Sequence, residues 1–176
     1  MANVIRKTGA TVIPGGLGGC HNSPPVRVVL QRVSQASVTV ERIVVGAIGC
    51  GLLALVGIEP GDGPADAERL AGRTARARVF ASEVRDFDRS VREVGGAVLC
   101  VSQFTLFADL RRGSRPSWSG AAPPSIAEQL VATFAQAVAT EGVDVSHGVF
   151  GAHMEISLVC DGPVTLVLDS TPPANA

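Results

Sequence analysis

Residues 43–58 read IVVGAIGCGLLALVGI, sixteen positions without a charge. The stretch either crosses a membrane or sits inside a sheet, and the rest of the fold follows from that choice. A spanning helix needs about 20 apolar residues, so this run is short. Gly46, Gly49, Gly51 and Gly57 interrupt it, and β-branched residues crowd its first half. Both features weaken a helix. Gly49-Cys50-Gly51 supplies the permissive backbone of a tight turn. The reading is two buried strands, 43–48 and 52–58, joined as a hairpin, with no membrane segment.

Ahead of that pair, VRVVLQRV from Val26 and then ASVTVE alternate apolar and polar positions, which predicts two early strands with one wet face. Residues 1–25 carry GGLGG and Pro24-Pro25 without a hydrophobic period. A flexible N-terminal extension is expected over 1–25 and one domain over 26–176. Downstream, Asp62-Gly63-Pro64 opens a helix with Ala67, Leu70, Ala71 and Thr74 on one stripe and Arg69, Arg73 and Arg76 on a solvated face. Residues 81–94 are charged and receive no element, AVLCVSQFTL (97–106) reads as an interior strand, and 107–122 as a loop. Pro123-Pro124-Ser125 starts a long helix in which Ile126, Leu130, Phe134 and Val138 recur every fourth residue, with Gly142 placed as a C-cap glycine. Residues 143–150, 154–159 and 164–168 complete the strands, the last two flanking Gly162-Pro163. Runs of strands broken by only two helices make an α/β chain: a compact single domain with layered mixed β-sheets and two main helices.

Composition bounds the function. At 176 residues, 46% hydrophobic and 18% charged, with mean hydropathy +0.31, the chain must bury apolar surface. A net charge of −1 gives no overall attraction to phosphate, so nucleic-acid binding would need a local patch or shape. Cys20, Cys50, Cys100 and Cys160 form no CxxC pair and have no histidine at ligand spacing, so neither a metal site nor a disulfide scaffold is expected. With no secretory signal core either, the chain reads as cytoplasmic. Neither GxGxxG after a strand nor GxxxxGK[ST] occurs, and no cofactor is expected.

Conventional nucleophiles find little support. Cys160 lies beside Asp161-Gly162, with His147 and His153 close in sequence, which permits a Cys/His hydrolase; its place in ISLVC equally suits an inert strand cysteine. Ser102 and Thr105 have no GxSxG context. Arg111-Arg112-Gly113-Ser114-Arg115 with Trp118 is the one place where phosphate binding and stacking combine, and also an ordinary solvated loop. Gly162-Pro163 is either a turn or a rigid pair aiming two carbonyls outward.

Together, VVLQRVSQASVTV (28–40), GLLALVGI (51–58), SQFTL (102–106), RGSRPSW (112–118), GVFGAHM (148–154) and DGPVTLVLDS (161–170) resemble, in order and spacing, the D-aminoacyl-tRNA deacylases. The resemblance covers residues 26–170. It implies a homodimer that hydrolyses the ester between a D-amino acid and the 3′-terminal adenosine of tRNA, with neither metal nor cofactor, and accepts achiral glycine as well. It further implies that Gly162-Pro163 is cis and enters the partner subunit's site, excluding the L-aminoacyl group by steric collision. The same resemblance implies that Ser102, Gln103, Phe104 and Thr105 line the catalytic pocket, amides near Phe104 and Thr105 stabilising an oxyanion. Phe150 and Met154 would pack around that pocket, Arg32 would brace the Gly-Pro loop, and Arg112 and Arg115 would meet tRNA phosphates. Two stretches depart from the family pattern: Cys160 stands where Asn is usual, loosening a hydrogen bond beside Gly162-Pro163, and Arg85-Asp86-Phe87-Asp88 replaces a GKMN-like stretch, where no role is assigned. The competing classes are a catalytically silent tRNA-binding module and a Cys160-dependent hydrolase.

Overall fold

A computed structural model describes residues 26–170; the extension expected over 1–25 lies outside the described residues. The elements are β1 (Arg27–Val40), β2 (Ile43–Ile48), β3 (Gly51–Gly57), α1 (Pro64–Arg76), β4 (Ala97–Ser102), a 3-10 turn (Phe104–Phe107), α2 (Pro124–Thr140), β5 (Asp144–His147) and β6 (Glu155–Asp169). They build one six-stranded mixed sheet. β6 runs antiparallel along β1, while β3–β4 and β4–β5 are parallel pairs. Each parallel pair needs a crossover, and α1 and α2 supply them. Because the chain steps across the sheet in one direction, right-handed crossovers put both helices on one face.

The two early strands expected before the charge-free run are one 14-residue strand. Val26, Val28 and Leu30 face the helices, whereas Val33, Ala36 and Val38 belong to a second apolar cluster on the opposite face. The register against β6 shifts between Val33 and Gln35, and this bulge turns the alternation over without ending the strand. The hairpin expected within 43–58 is also absent. β2 and β3 do not pair with each other; β3 pairs with Arg27–Val33 of β1 and β2 with Ala36–Val40, both antiparallel. Since β6 takes the other edge of β1, the two lie end to end as halves of a broken strand. β3 is buried as expected, but β2 is mostly exposed.

β2 bends back toward β5. Ser146 Oγ donates to Ala47 O at 3.0 Å, and a Cβ on Gly46 would stand 2.4 Å from His147 O, so only glycine permits the approach. The sheet therefore rolls up around the second cluster, which includes Leu53, Leu99 and Val101 with Met154 and Ile156 packed against it. The larger cluster lies beneath α1 and α2. It takes Ala67, Leu70 and Ala71 from one helix and Leu130, Phe134 and Val138 from the other. Ile126, placed on the same stripe by spacing, is instead exposed at the first turn of α2. Gly142 ends α2 with φ +83°, as its C-cap position predicted. Arg69 and Arg73 do more than face solvent: they donate to Ser170 O at 3.1 Å and Asp169 O at 2.7 Å, tying the end of β6 to α1.

Three strand ends also differ from expectation. The strand expected over 97–106 stops at Ser102, that over 143–150 spans only Asp144–His147, and those expected at 154–159 and 164–168 are one continuous β6. Among the described residues, no helix is long and apolar enough to cross a membrane.

Candidate active site

Parallel strands collect ligand sites at their carboxyl ends, where backbone and loops diverge. Here the ends of β3 and β4 meet the start of α2 around a cavity of about 510 Å³. Val56, Ile58, Ala122, Ala127 and Val131 give it an apolar floor, while Ser102, Gln103, Phe104, Trp118 and Phe150 stand at its sides. Phe104 and Trp118 meet edge to face with ring centroids 5.2 Å apart, yet Phe104 stays 56% exposed. Two aromatic rings left partly open beside an apolar recess suit a flat heteroaromatic ligand.

The wall bearing Gln103 is shaped by contacts remote in sequence. Gln103 N–H donates to Val56 O at 2.8 Å, the last bond of the parallel β3–β4 ladder, after which the chain leaves the strand for the 3-10 turn. Gly57 leaves the room this requires, because a Cβ there would come within 2.9 Å of the Phe107 ring and 3.0 Å of Gln103 O. Leu106 N–H returns to Gln103 O at 3.3 Å, but no backbone acceptor among the described residues receives the N–H of Phe104 or Thr105. Two donors therefore stand unspent at the start of a helical turn, suited to a developing negative charge. Thr105 does not line the cavity; its hydroxyl accepts from Gln103 Nε2, and no His, Asp or Glu bonds it among the described residues. Met154 also lies away from the cavity, packed on the second core with its Sδ against Gly148.

Cys100 is buried, which pushes its thiol up to about 12 and leaves it without nucleophilic character at neutral pH. Cys160 is exposed on β6, its Sγ accepting from Gln31 Nε2 at 2.7 Å, with no bond to His147 or His153. Among the described residues the geometry shows no Cys/His pair. No group of three or more potential metal ligands occurs among the described residues.

Gly162-Pro163 occupies an excursion of β6. Thr165 pairs with Gln31 and Cys160 with Val33, so two steps along β1 face five along β6, and Asp161–Val164 loop outward. The peptide is cis, Gly162 has φ +128°, and both residues are exposed. Arg32 reaches the loop: its Nε lies 3.1 Å from Asp161 O and 3.1 Å from Asp161 Oδ2, while NH1 donates to Val79 O and the guanidinium lies 5.9 Å from the Phe80 ring centre. Within one chain the Gly-Pro pair does not line the cavity.

The sequence profile described as D-Tyr-tRNA(Tyr) deacylase matches residues 29–169. The chain belongs to the D-Tyr-tRNA(Tyr) deacylase family. Proteins named D-aminoacyl-tRNA deacylase from Roseiflexus sp. (strain RS-1) and Thermomicrobium roseum are 59% and 55% identical over 145 residues, spanning 82% of this chain and 94% of each relative. One from Deinococcus deserti is 51% identical over 144 residues, 82% of this chain and 99% of that protein. Among solved structures, the c-Myc DNA Unwinding Element Binding Protein superposes with TM-score 0.76 at 34% identity, covering 84% of this chain and 99% of that one. A structure described as a "probable eukaryotic D-amino acid tRNA deacylase" shares the fold with TM-score 0.71 at 17% identity, covering 82% and 98%.

On this deacylase-family scaffold the arginine loop divides. Arg111 is held bidentate by Asp109, at 2.9 and 2.8 Å, and this pairing pulls the Asp109 carboxyl down to about 2. Arg112 and Arg115 are exposed and make no ion pair among the described residues, so their charge is available to a phosphate. Sequence reasoning passed over Gln31, whose amide contacts both feet of the Gly-Pro excursion, and the apolar floor contributed by α2. Neither has a local signature, because the contacts join residues far apart in the chain.

Proposed function

We propose that this member of the D-Tyr-tRNA(Tyr) deacylase family hydrolyses the ester linking a D-amino acid to the terminal adenosine of tRNA. The observation that carries the reading is the joint presence, on the family scaffold, of an aromatic-sided cavity with unspent amides at Phe104 and Thr105 and an exposed Gly162-Pro163 excursion. The adenosine enters the apolar recess beside Phe104, Trp118 and Phe150. Water, assisted by the ribose 2′-hydroxyl, adds to the ester carbonyl, and the amides stabilise the oxyanion. Cleavage of the bond to O3′ releases the amino acid and returns a proton to the ribose oxygen.

Chirality is selected by main chain from a second copy. Gly162-Pro163 of one protomer enters the cavity of its partner and leaves no room for an L substituent, while D-aminoacyl and glycyl groups fit. The outer edge of β6 supports such pairing. It is a 15-residue strand whose described ladder is with β1, and it displays Leu158, Val159 and Val167 at 41%, 49% and 60% exposure. Native proteins rarely leave a long apolar edge uncovered.

The test mixes the protein with D-tyrosyl-tRNA and L-tyrosyl-tRNA and follows release of each amino acid. Preferential release from the D ester is expected. Binding without release would instead establish a silent module. Thr105→Ala and Cys160→Ala are each expected to keep activity within about tenfold, since neither side chain forms a bond to substrate; a loss on the order of 10³ at either would make that residue the nucleophile. Arg112→Ala and Arg115→Ala are each expected to weaken tRNA binding. Each lost phosphate contact should flatten the plot of log affinity against log salt by roughly 0.7–0.9. An unchanged slope in the double variant would remove these residues from the tRNA interface.

A further inference from the structure

The Gly-Pro excursion has two feet, and one side chain holds both. From the middle of β1, Gln31 Nε2 donates to Cys160 Sγ at 2.7 Å on one side of the loop and to Val164 O at 3.1 Å on the other. Its Oε1 accepts from the Thr165 hydroxyl. The amide thus closes the base of the loop where the β1–β6 ladder skips from Thr165 to Cys160. Arg32, the next residue, points to the other face of β1 and holds Asp161 within the loop. A primary amide is suited to the base position because it donates and accepts together, matching a carbonyl and a hydroxyl on the same foot.

We propose that Gln31 is a positioning residue for chiral discrimination: by stapling Cys160 to Val164 and Thr165 it fixes the depth to which Gly162-Pro163 projects. The inference rests on the wedge reading above. If the feet separate, the loop can retreat from an L substituent, so rejection of the wrong hand weakens while release of the D ester suffers less. A residue acting only on general stability would instead lower both activities together.

The experiment measures kcat/KM on D- and L-tyrosyl-tRNA, with the thermal midpoint, for Gln31→Leu, Thr165→Val and Pro163→Ala. Gln31→Leu should lower the D/L ratio by about tenfold or more, as expected for losing several hydrogen bonds at once. Thr165→Val, which removes one exposed hydroxyl, should lower it by about threefold with an unchanged midpoint. Should Gln31→Leu fail to fold, Thr165→Val decides. If Pro163→Ala lowers the ratio while Gln31→Leu and Thr165→Val leave it at the parent value, the staple is wrong and the wedge stands. If Pro163→Ala leaves the ratio unchanged, the wedge reading fails and the staple fails with it.

Discussion

Arg32→Ala is expected to cost about 100-fold in discrimination between D- and L-aminoacyl esters, more than any other single change around the loop. The Arg32 side chain is only 13% exposed and meets three groups at once: Asp161 of the excursion, the Val79 carbonyl and the Phe80 ring. Asp161 itself is half exposed, so their ion pair is screened and contributes little as a charge pair. The geometry matters more. A hydrogen bond involving a charged partner contributes about 1.5–3 kcal/mol, and losing the one from Arg32 to Asp161 O, together with the Val79 anchor that holds the guanidinium in place, accounts for the estimate. Arg32→Lys keeps the charge but lacks the planar fork, and should recover only part of the ratio. The measurement is kcat/KM on the D- and L-aminoacyl esters. Equal losses on the two, with the ratio intact, would show that Arg32 supports the fold without aiming the wedge.

The parts of this architecture legible in the sequence are those with local causes. α2 was readable because Leu130, Phe134 and Val138 recur at helical spacing, with prolines at the start and Gly142 at the stop. α1 was readable from Pro64 and the stripe ending at Thr74. The errors arose where a distant partner decides the backbone. Val33 and Ala36 break the period of two, which looks like a strand boundary in isolation; only pairing with β6 shows that a bulge carries the strand through. Gly49-Cys50-Gly51 can close a hairpin, but a 14-residue β1 offers an edge long enough for both halves to lie in line. SQFTL has β propensity throughout, yet the parallel ladder ends with Gln103 N–H on Val56 O, and Phe104–Phe107 then turn into a 3-10 helix against Gly57.

The candidate site shows the same division. Motif resemblance nominated Ser102, Gln103, Phe104, Thr105, Phe150 and Met154, and the structure places Ser102, Gln103, Phe104 and Phe150 at one cavity while leaving Thr105 and Met154 outside its lining. Which arginines of 111–115 are free was not readable, since Asp109 could have paired with any of them until geometry gave it Arg111. Gln31 and its loop partners are separated by about 130 positions, and no spacing rule reaches that far.

Phe134→Ala is the largest stability change expected, about 3–5 kcal/mol from lost burial and the cavity left behind. The ring is fully buried in the cluster that joins α2 to the sheet. A domain of this size is stable by only about 5–15 kcal/mol, so the variant forfeits a large share of its margin. In denaturant the midpoint should fall with little change in slope, because the surface exposed on unfolding stays nearly the same. A loss below about 1 kcal/mol would mean that the helix layer repacks around the void. The effect should also reach the chemistry. Ala127 and Val131 of α2 form part of the cavity floor, two turns and one turn before Phe134 on the same helix. When the anchor is cut, those residues can drift from Val56 and Ile58, loosening the recess that holds the adenosine. Under folded conditions KM should therefore rise more than kcat falls, since the amides at Phe104 and Thr105 are held by β3 and not by α2. Phe134→Leu keeps most of the buried volume and should restore both stability and KM. Restored stability with a KM still raised would separate the helix anchor from the binding floor.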